Sequence, residues 1–127
     1  MKPISLFLAF VVLGFVSCAS SQLQVPEDMP PSKIIQKAQE ATDVNKYQLA
    51  VQYYQVLLER YGDNIEYFLT AEYEIAFIRY KQKKYNEARK GFEGLLVLYN
   101  GEGGERLPPQ FKVLAEKVLA HINQKGY

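Results

Sequence analysis

The chain has 127 residues, 48% of them hydrophobic and 23% charged, which is ordinary for one globular domain. Fifteen basic residues against fourteen acidic ones leave a net charge of +1, spread without a basic stripe. That balance offers no electrostatic case for nucleic-acid binding, which requires clustered Lys and Arg to neutralise phosphates.

The first residues have the make-up of a targeting segment. Lys2 supplies a positive start, Ile4 to Val16 form an apolar run, and the small residues Ser17, Cys18, Ala19 and Ser20 follow. The run is well short of the ~20 residues that span a bilayer, so export with cleavage is expected ahead of a permanent transmembrane helix. Cys18 is the only cysteine and has no disulfide partner in the chain. Phe15-Val16-Ser17-Cys18 resembles the lipobox of bacterial lipoproteins, with Phe15 where Leu is usual. The resemblance implies cleavage before Cys18 and a lipid on its thiol. Two alternatives stay open: ordinary cleavage after the small-x-small site Ser17-x-Ala19, which would release a secreted protein, and a retained anchor. In the lipoprotein sorting rule an aspartate at position 19 would favour the inner membrane; Ala19 leans toward the outer membrane facing the periplasm.

The expected organisation is therefore a signal peptide over residues 1–17, a lipidated N-terminus and tether over 18–31, and a helical domain over 32–127. Pro26, Pro30 and Pro31 fix backbone angles without offering donors, and the tether is read as extended.

The helical domain is expected to open at Ser32 as a cap, with Ile34, Ile35, Ala38 and Ala41 on one face of a first helix. A turn over Asp43 to Lys46 leads to a second helix, from Asn45 to Tyr61, carrying Leu49, Ala50, Tyr53, Tyr54, Val56, Leu57 and Leu58. Gly62-Asp63-Asn64 is expected to end it through a left-handed glycine. A third helix, Ile65 to Lys83, is apolar on several sides and so is expected to lie between neighbours. A fourth, Asn86 to Tyr99, is followed by Asn100-Gly101-Glu102-Gly103-Gly104, read as a mobile loop. Pro108 and Pro109 open a fifth helix in which Phe111, Leu114, Ala115, Val118, Leu119 and Ile122 keep helical spacing.

Two of these segments echo one another. Tyr47-x-x-Ala50-x-x-x-Tyr54-x-x-Leu57-Leu58-x-x-Tyr61 returns 38 residues later as Tyr85-x-x-Ala88-x-x-x-Phe92-x-x-Leu95-Leu96-x-x-Tyr99. Together with Ala38 and Ala76 in the preceding helices, the pattern resembles the tetratricopeptide repeat. Small residues let two antiparallel helices approach, and the large aromatic fills the wedge between hairpins. The period exceeds the usual 34 or so, Gly62 and Asn100 stand where proline commonly ends a repeat, and the Trp, Leu and Gly of the consensus are largely missing. Asn123-Gln124-Lys125-Gly126-Tyr127 echoes Lys81-Gln82-Lys83-Lys84-Tyr85, so the fifth helix reads as the first of a third repeat, acting as a cap. The repeats are most similar to those of BamD-type and YbgF-type envelope proteins, which are longer. The expected fold is all-α: a short stack of about five helices, two hairpins plus a capping helix.

In such repeats the first helices line a concave groove. The resemblance therefore implies a partner-binding surface made of Ile35, Gln39 and Thr42 beside Tyr73, Phe77, Tyr80 and Lys81, able to hold an extended peptide or a helix of a protein partner. The alternative is that Tyr73, Phe77 and Tyr80 pack against the fifth helix. The Lys and Asn with which chaperone-binding members clamp a carboxylate are replaced here by Ile35, Gln39, Tyr73 and Phe77.

Chemistry finds little footing. His121 is the only histidine, and its place near a helix C-terminus suits a solvated, structural role. Zinc would need clustered Cys and His, so no metal is expected. Cys18 lies at a processing site with no neighbouring base. Arg79, Lys81, Lys83 and Lys84 are flanked by Glu72, Glu74 and Glu87 and read as a solvated helix end. Gly101-x-Gly103-Gly104 follows a helix, where a phosphate loop follows a strand. The expectation is a lipid-anchored envelope adaptor with no enzymatic activity, no cofactor and no small-molecule substrate; the alternative is a structural lipoprotein with a compact bundle.

Overall fold

The computed structural model describes residues 23–127. They form five α-helices and no strand: α1 (Pro31–Asp43), α2 (Tyr47–Tyr61), α3 (Ile65–Lys81), α4 (Tyr85–Asn100) and α5 (Pro109–Lys125), with a 3-10 turn at Gly104–Arg106. The fold is all-α, a stack of helical hairpins. α1 packs on α2 and α3 on α4, with α3 lying between α2 and α4, while α5 closes the stack against α4 and the edge of α3.

The turns explain the pairing. Each odd-numbered helix ends in the same closure: a residue with positive φ donates to the carbonyl three back, and its successor to the carbonyl five back from itself. In α1 these are Asn45 (φ 60) to Thr42 at 3.0 Å and Lys46 to Ala41 at 2.8 Å. In α3 they are Lys83 (φ 61) to Tyr80 and Lys84 to Arg79, both at 2.9 Å. At the end of α5, Gly126 (φ 74) and Tyr127 repeat the pattern on Asn123 and Ile122. This closure reverses the chain within a few residues, so α2 and α4 return along the helices that precede them.

Two of the expected helix signals act otherwise. Gly62 is right-handed (φ −64), and the following junction is organised by Asn64, whose side chain accepts from the amides of Glu66 at 2.9 Å and Tyr67 at 3.3 Å to cap α3. Ser32 makes no cap; Pro30 precedes the helix and Pro31 occupies its first turn, where a missing donor costs nothing.

The core has two lobes sharing α3. Ile34, Ala38, Ala50, Tyr54 and Leu57 meet Ala71 and Ile78 in the first. Leu69, Tyr73 and Ala76 meet Ala88, Phe92, Leu95, Ala115 and Ile122 in the second. A helix apolar on several sides is thus buried on several sides. Tyr54 and Phe92, the paired aromatics of the echo, are both wholly buried. α3 and α4 approach closely at Gly91, where an added Cβ would stand 2.7 Å from that of Ala76.

The ordered domain starts before residue 32. Arg60 donates to the carbonyls of Pro26 (2.6 Å) and Val25 (2.8 Å), and the Tyr61 hydroxyl to that of Met29 (3.0 Å). Val25 and Met29 pack on the first core lobe, so this end of the expected tether is strapped to α2. The loop expected to be mobile is also pinned: Tyr99 donates to Pro108 at 2.6 Å, and Gly104 is buried so closely on the Tyr99 backbone that a Cβ would come within 2.2 Å of its carbonyl oxygen. The expected signal peptide, residues 1–17, and Cys18 lie outside the described residues.

Candidate functional site

The expected groove lies on α1 and α3. Tyr73, Phe77 and Tyr80 occur at helical spacing on α3 and form a ladder of stacked rings, with centroids 5.9 Å apart at each step. The upper end of this ladder is interior. Tyr73 is 7% exposed and lies against Phe92 at 5.6 Å and Phe111 at 6.0 Å. The lower end is partly covered, with His121 of α5 edge-on to Tyr80 at 6.0 Å. α5 therefore takes two rungs of the ladder, as in the alternative raised by the sequence, and Tyr73 is not available to a partner.

The rest is divided. Thr42 is buried and returns its hydroxyl proton to the Ala38 carbonyl at 2.9 Å, a bond internal to α1. Ile35 is half-buried on the first core lobe. Gln39 and Lys81 are exposed and Phe77 half-exposed, with the Lys81 ammonium 5.7 Å above the Phe77 ring. Because α1 and α3 scarcely touch, the face between them is floored by α2. The surface on which Ile35, Gln39, Phe77 and Lys81 remain reachable is narrower than the sequence implied.

Two groups read from the sequence as a packing aromatic and as part of a solvated helix end stand out in the structure. Glu74 is half-buried on α3 and makes no ion pair or hydrogen bond among the described residues. Burial pushes its carboxyl above the usual carboxylate range, and the charge of Lys81 pulls it partly back. Tyr54 comes from α2 below; it is 0% exposed and its hydroxyl has no partner among the described residues. Burial, then the charges of Glu74 and Asp43, drive that hydroxyl far above the ordinary tyrosine value. A signal was present: Phe92 occupies the equivalent place in the second hairpin, so the hydroxyl is not needed for packing.

The remaining candidates have local explanations. Arg79 is engaged by Glu87 at 3.4 Å and Gln82 at 3.1 Å. His121 is exposed beside Tyr80. A 370 Å³ notch at Lys83 to Glu87 is shared with Tyr127, which stacks on Tyr85 at 4.0 Å. Among the described residues there is no trio of His, Cys, Asp or Glu arranged for a metal, and no helix long and apolar enough to cross a membrane.

No protein-family model matches the chain, and no solved structure does. A protein of Treponema pallidum (strain Nichols), described as uncharacterized, is 33% identical over 124 residues, which cover 91% of this chain and 50% of that protein. The chain spans about half the length of the relative it matches, whose description names no activity or partner.

Proposed function

We propose that this chain is a tetratricopeptide-type adaptor of the bacterial cell envelope, held by a lipid on Cys18 at the outer membrane facing the periplasm, that docks a protein partner on the face between α1 and α3. The observation that supports the reading is that Gln39 on α1 and Lys81 on α3 are exposed and Phe77 is half-exposed, on two helices that scarcely touch. An aromatic ring flanked by an amide and an ammonium suits an extended peptide or a partner helix. Helical hairpins stacked side by side present such a face as a consequence of their geometry.

The test is capture from detergent-solubilised membranes. A stoichiometric protein partner retained by the native chain and lost on Phe77→Ala together with Gln39→Ala supports the adaptor. An unpartnered monomer overturns it. The anchor is tested separately by palmitate labelling against Cys18→Ser; an unlabelled native protein removes the lipid from the account. A second reading, a structural envelope lipoprotein without a peptide groove, draws on the cover that α5 places over Tyr73 and Tyr80. That reading expects no partner lost with Phe77.

A further inference from the structure

We propose that the end of the stack formed by the two hairpin turns docks an acidic segment of a protein partner, whose Asp and Glu carboxylates meet the ammoniums of Lys83 and Lys84 at the turn between α3 and α4. This surface lies at the tips of the helices and goes beyond the face between α1 and α3; Lys81, the last residue of α3, belongs to both.

Charges that alternate along the chain separate in the fold. The ends of α1, α3 and α5 and the starts of α2 and α4 come together at one end of the stack. Gln48 and Val51 of α2 line a single cavity with Arg79, Gln82 and Lys84. Tyr127 stacks on Tyr85 at 4.0 Å, and Arg89 donates to the Asn123 side chain and the Tyr127 carbonyl, which places the end of α5 beside the start of α4. Within one helical turn of these ends, and in the turns that join them, stand Lys46, Arg79, Lys81, Lys83, Lys84 and Lys125. Only three acids face them, Glu40, Asp43 and Glu87. At the opposite end, taken with the leading strap and the loop between α4 and α5, seven acids stand against four bases. Residues 23–127 carry fourteen bases and fourteen acids, so a neutral domain has one positive pole and one negative.

The acids of the positive pole are largely engaged. Glu40 is paired with Lys37 at 3.3 Å and Glu87 with Arg79 at 3.4 Å. Lys46, Lys83, Lys84 and Lys125 are exposed and form no ion pair among the described residues. The pole also has shape. Cavities of 370 and 310 Å³ flank the turn between α3 and α4 and share Lys84; Tyr85 and Tyr127 line the first and Val51 the second. An acidic segment laid across this turn gains partners for ammoniums that have none within the domain, and the field of the pole draws it in. A basic segment meets like charges, so the surface selects by sign. Nucleic acid would need bases along a longer track. Farther along α3 and α4 they give way to Glu72, Glu74 and Glu93, which bounds the patch.

The experiment selects displayed random twelve-residue peptides on the full chain in detergent at about 50 mM salt, then measures the affinities of the best binders. Selected peptides are expected to be rich in Asp and Glu, and salt at about 300 mM to weaken them about tenfold. Lys83→Gln with Lys84→Gln is expected to weaken them about fivefold or more, and Lys33→Gln with Arg106→Gln, which removes the same charge from the opposite end, less than about twofold. Circular dichroism confirms that both double variants fold. Peptides without an acidic excess, equal losses on the two double variants, or no selected peptide at all overturn the inference. A twelve-nucleotide DNA strand that binds more tightly than every selected peptide, and is lost with Lys83 and Lys84, also overturns it by making the pole a phosphate site. Phe77→Ala is expected to leave the acidic peptides within about twofold, so a failure of the groove and a failure of the pole are read separately. A loss on Phe77→Ala as large as on the lysine pair would return these peptides to the groove and overturn the pole.

Discussion

Replacing Tyr54 with phenylalanine should make the protein more stable. The ring is wholly buried among residues of the first core lobe, and Phe keeps all of those contacts. Only the hydroxyl is lost, and among the described residues it bonds to nothing. A buried polar group without a partner costs about 1–3 kcal/mol of desolvation, so its removal should return roughly 0.5–2 kcal/mol. For a domain of this size each kcal/mol moves the melting temperature by about 4–8 °C. Thermal and urea denaturation at pH 7, followed by circular dichroism, measure the gain. The alkaline limb provides a second check. The folded hydroxyl titrates above its unfolded value of 10.0, so the fold holds a proton that the unfolded chain releases. Stability is therefore unaffected by this group below about pH 10 and falls as pH rises beyond it, a fall that Tyr54→Phe should reduce. A loss of more than about 1 kcal/mol at pH 7 would refute the reasoning, because it would mean that the hydroxyl is bonded in the free protein.

Other substitutions separate the open face from the interior. Tyr73→Ala, which empties a site packed by Phe77, Phe92 and Phe111, should cost about 3–5 kcal/mol, whereas Phe77→Ala should cost less than half of that; equal losses in urea titrations would contradict the placement of Tyr73. Glu74→Gln should stabilise at pH 7. Its native carboxyl binds a proton more readily than the unfolded one, so native stability rises as pH falls through the raised value, and the variant's advantage should vanish below about pH 4. A variant less stable than the native chain at pH 7 would show that Glu74 is paired. Lys83→Gly should gain about 1 kcal/mol by relieving a left-handed backbone at φ 61, with a smaller gain for Asn45→Gly because asparagine tolerates that region. Unchanged melting for both would place the strain elsewhere.

Helix count and pairing could be read from the chain because they depend on near neighbours. Apolar residues at helical spacing mark each helix, and the echo between Tyr47 and Tyr85 marks two like hairpins, since antiparallel helices joined by short turns touch at positions set by local sequence. Ala38 and Ala76 pointed to close helix contact, and Tyr54 and Phe92 to the wedge between hairpins, and all four are buried. The turn chemistry was harder to read. Glycine was the expected left-handed residue after α2, but the left-handed positions in the hairpin turns are Asn45 and Lys83, where the carbonyls exposed at the helix end impose the conformation.

What only the tertiary structure decided is which of the aromatic and polar groups are already spoken for. Tyr73 is closed off by Phe111, and Val25 is held by Arg60, through contacts between residues more than thirty positions apart. Such contacts follow from how α5 and the leading strap fold back on the stack, and no local pattern encodes them. The same holds for Tyr54 and Glu74: a tyrosine at an aromatic position and a glutamate in a charged helix look unexceptional in sequence. Their hydroxyl and carboxyl stand out once the packed helices take them from water without supplying a partner among the described residues. Periodicity along the chain determined the scaffold; desolvation in the assembled fold determined which polar groups on it are left without a partner among the described residues.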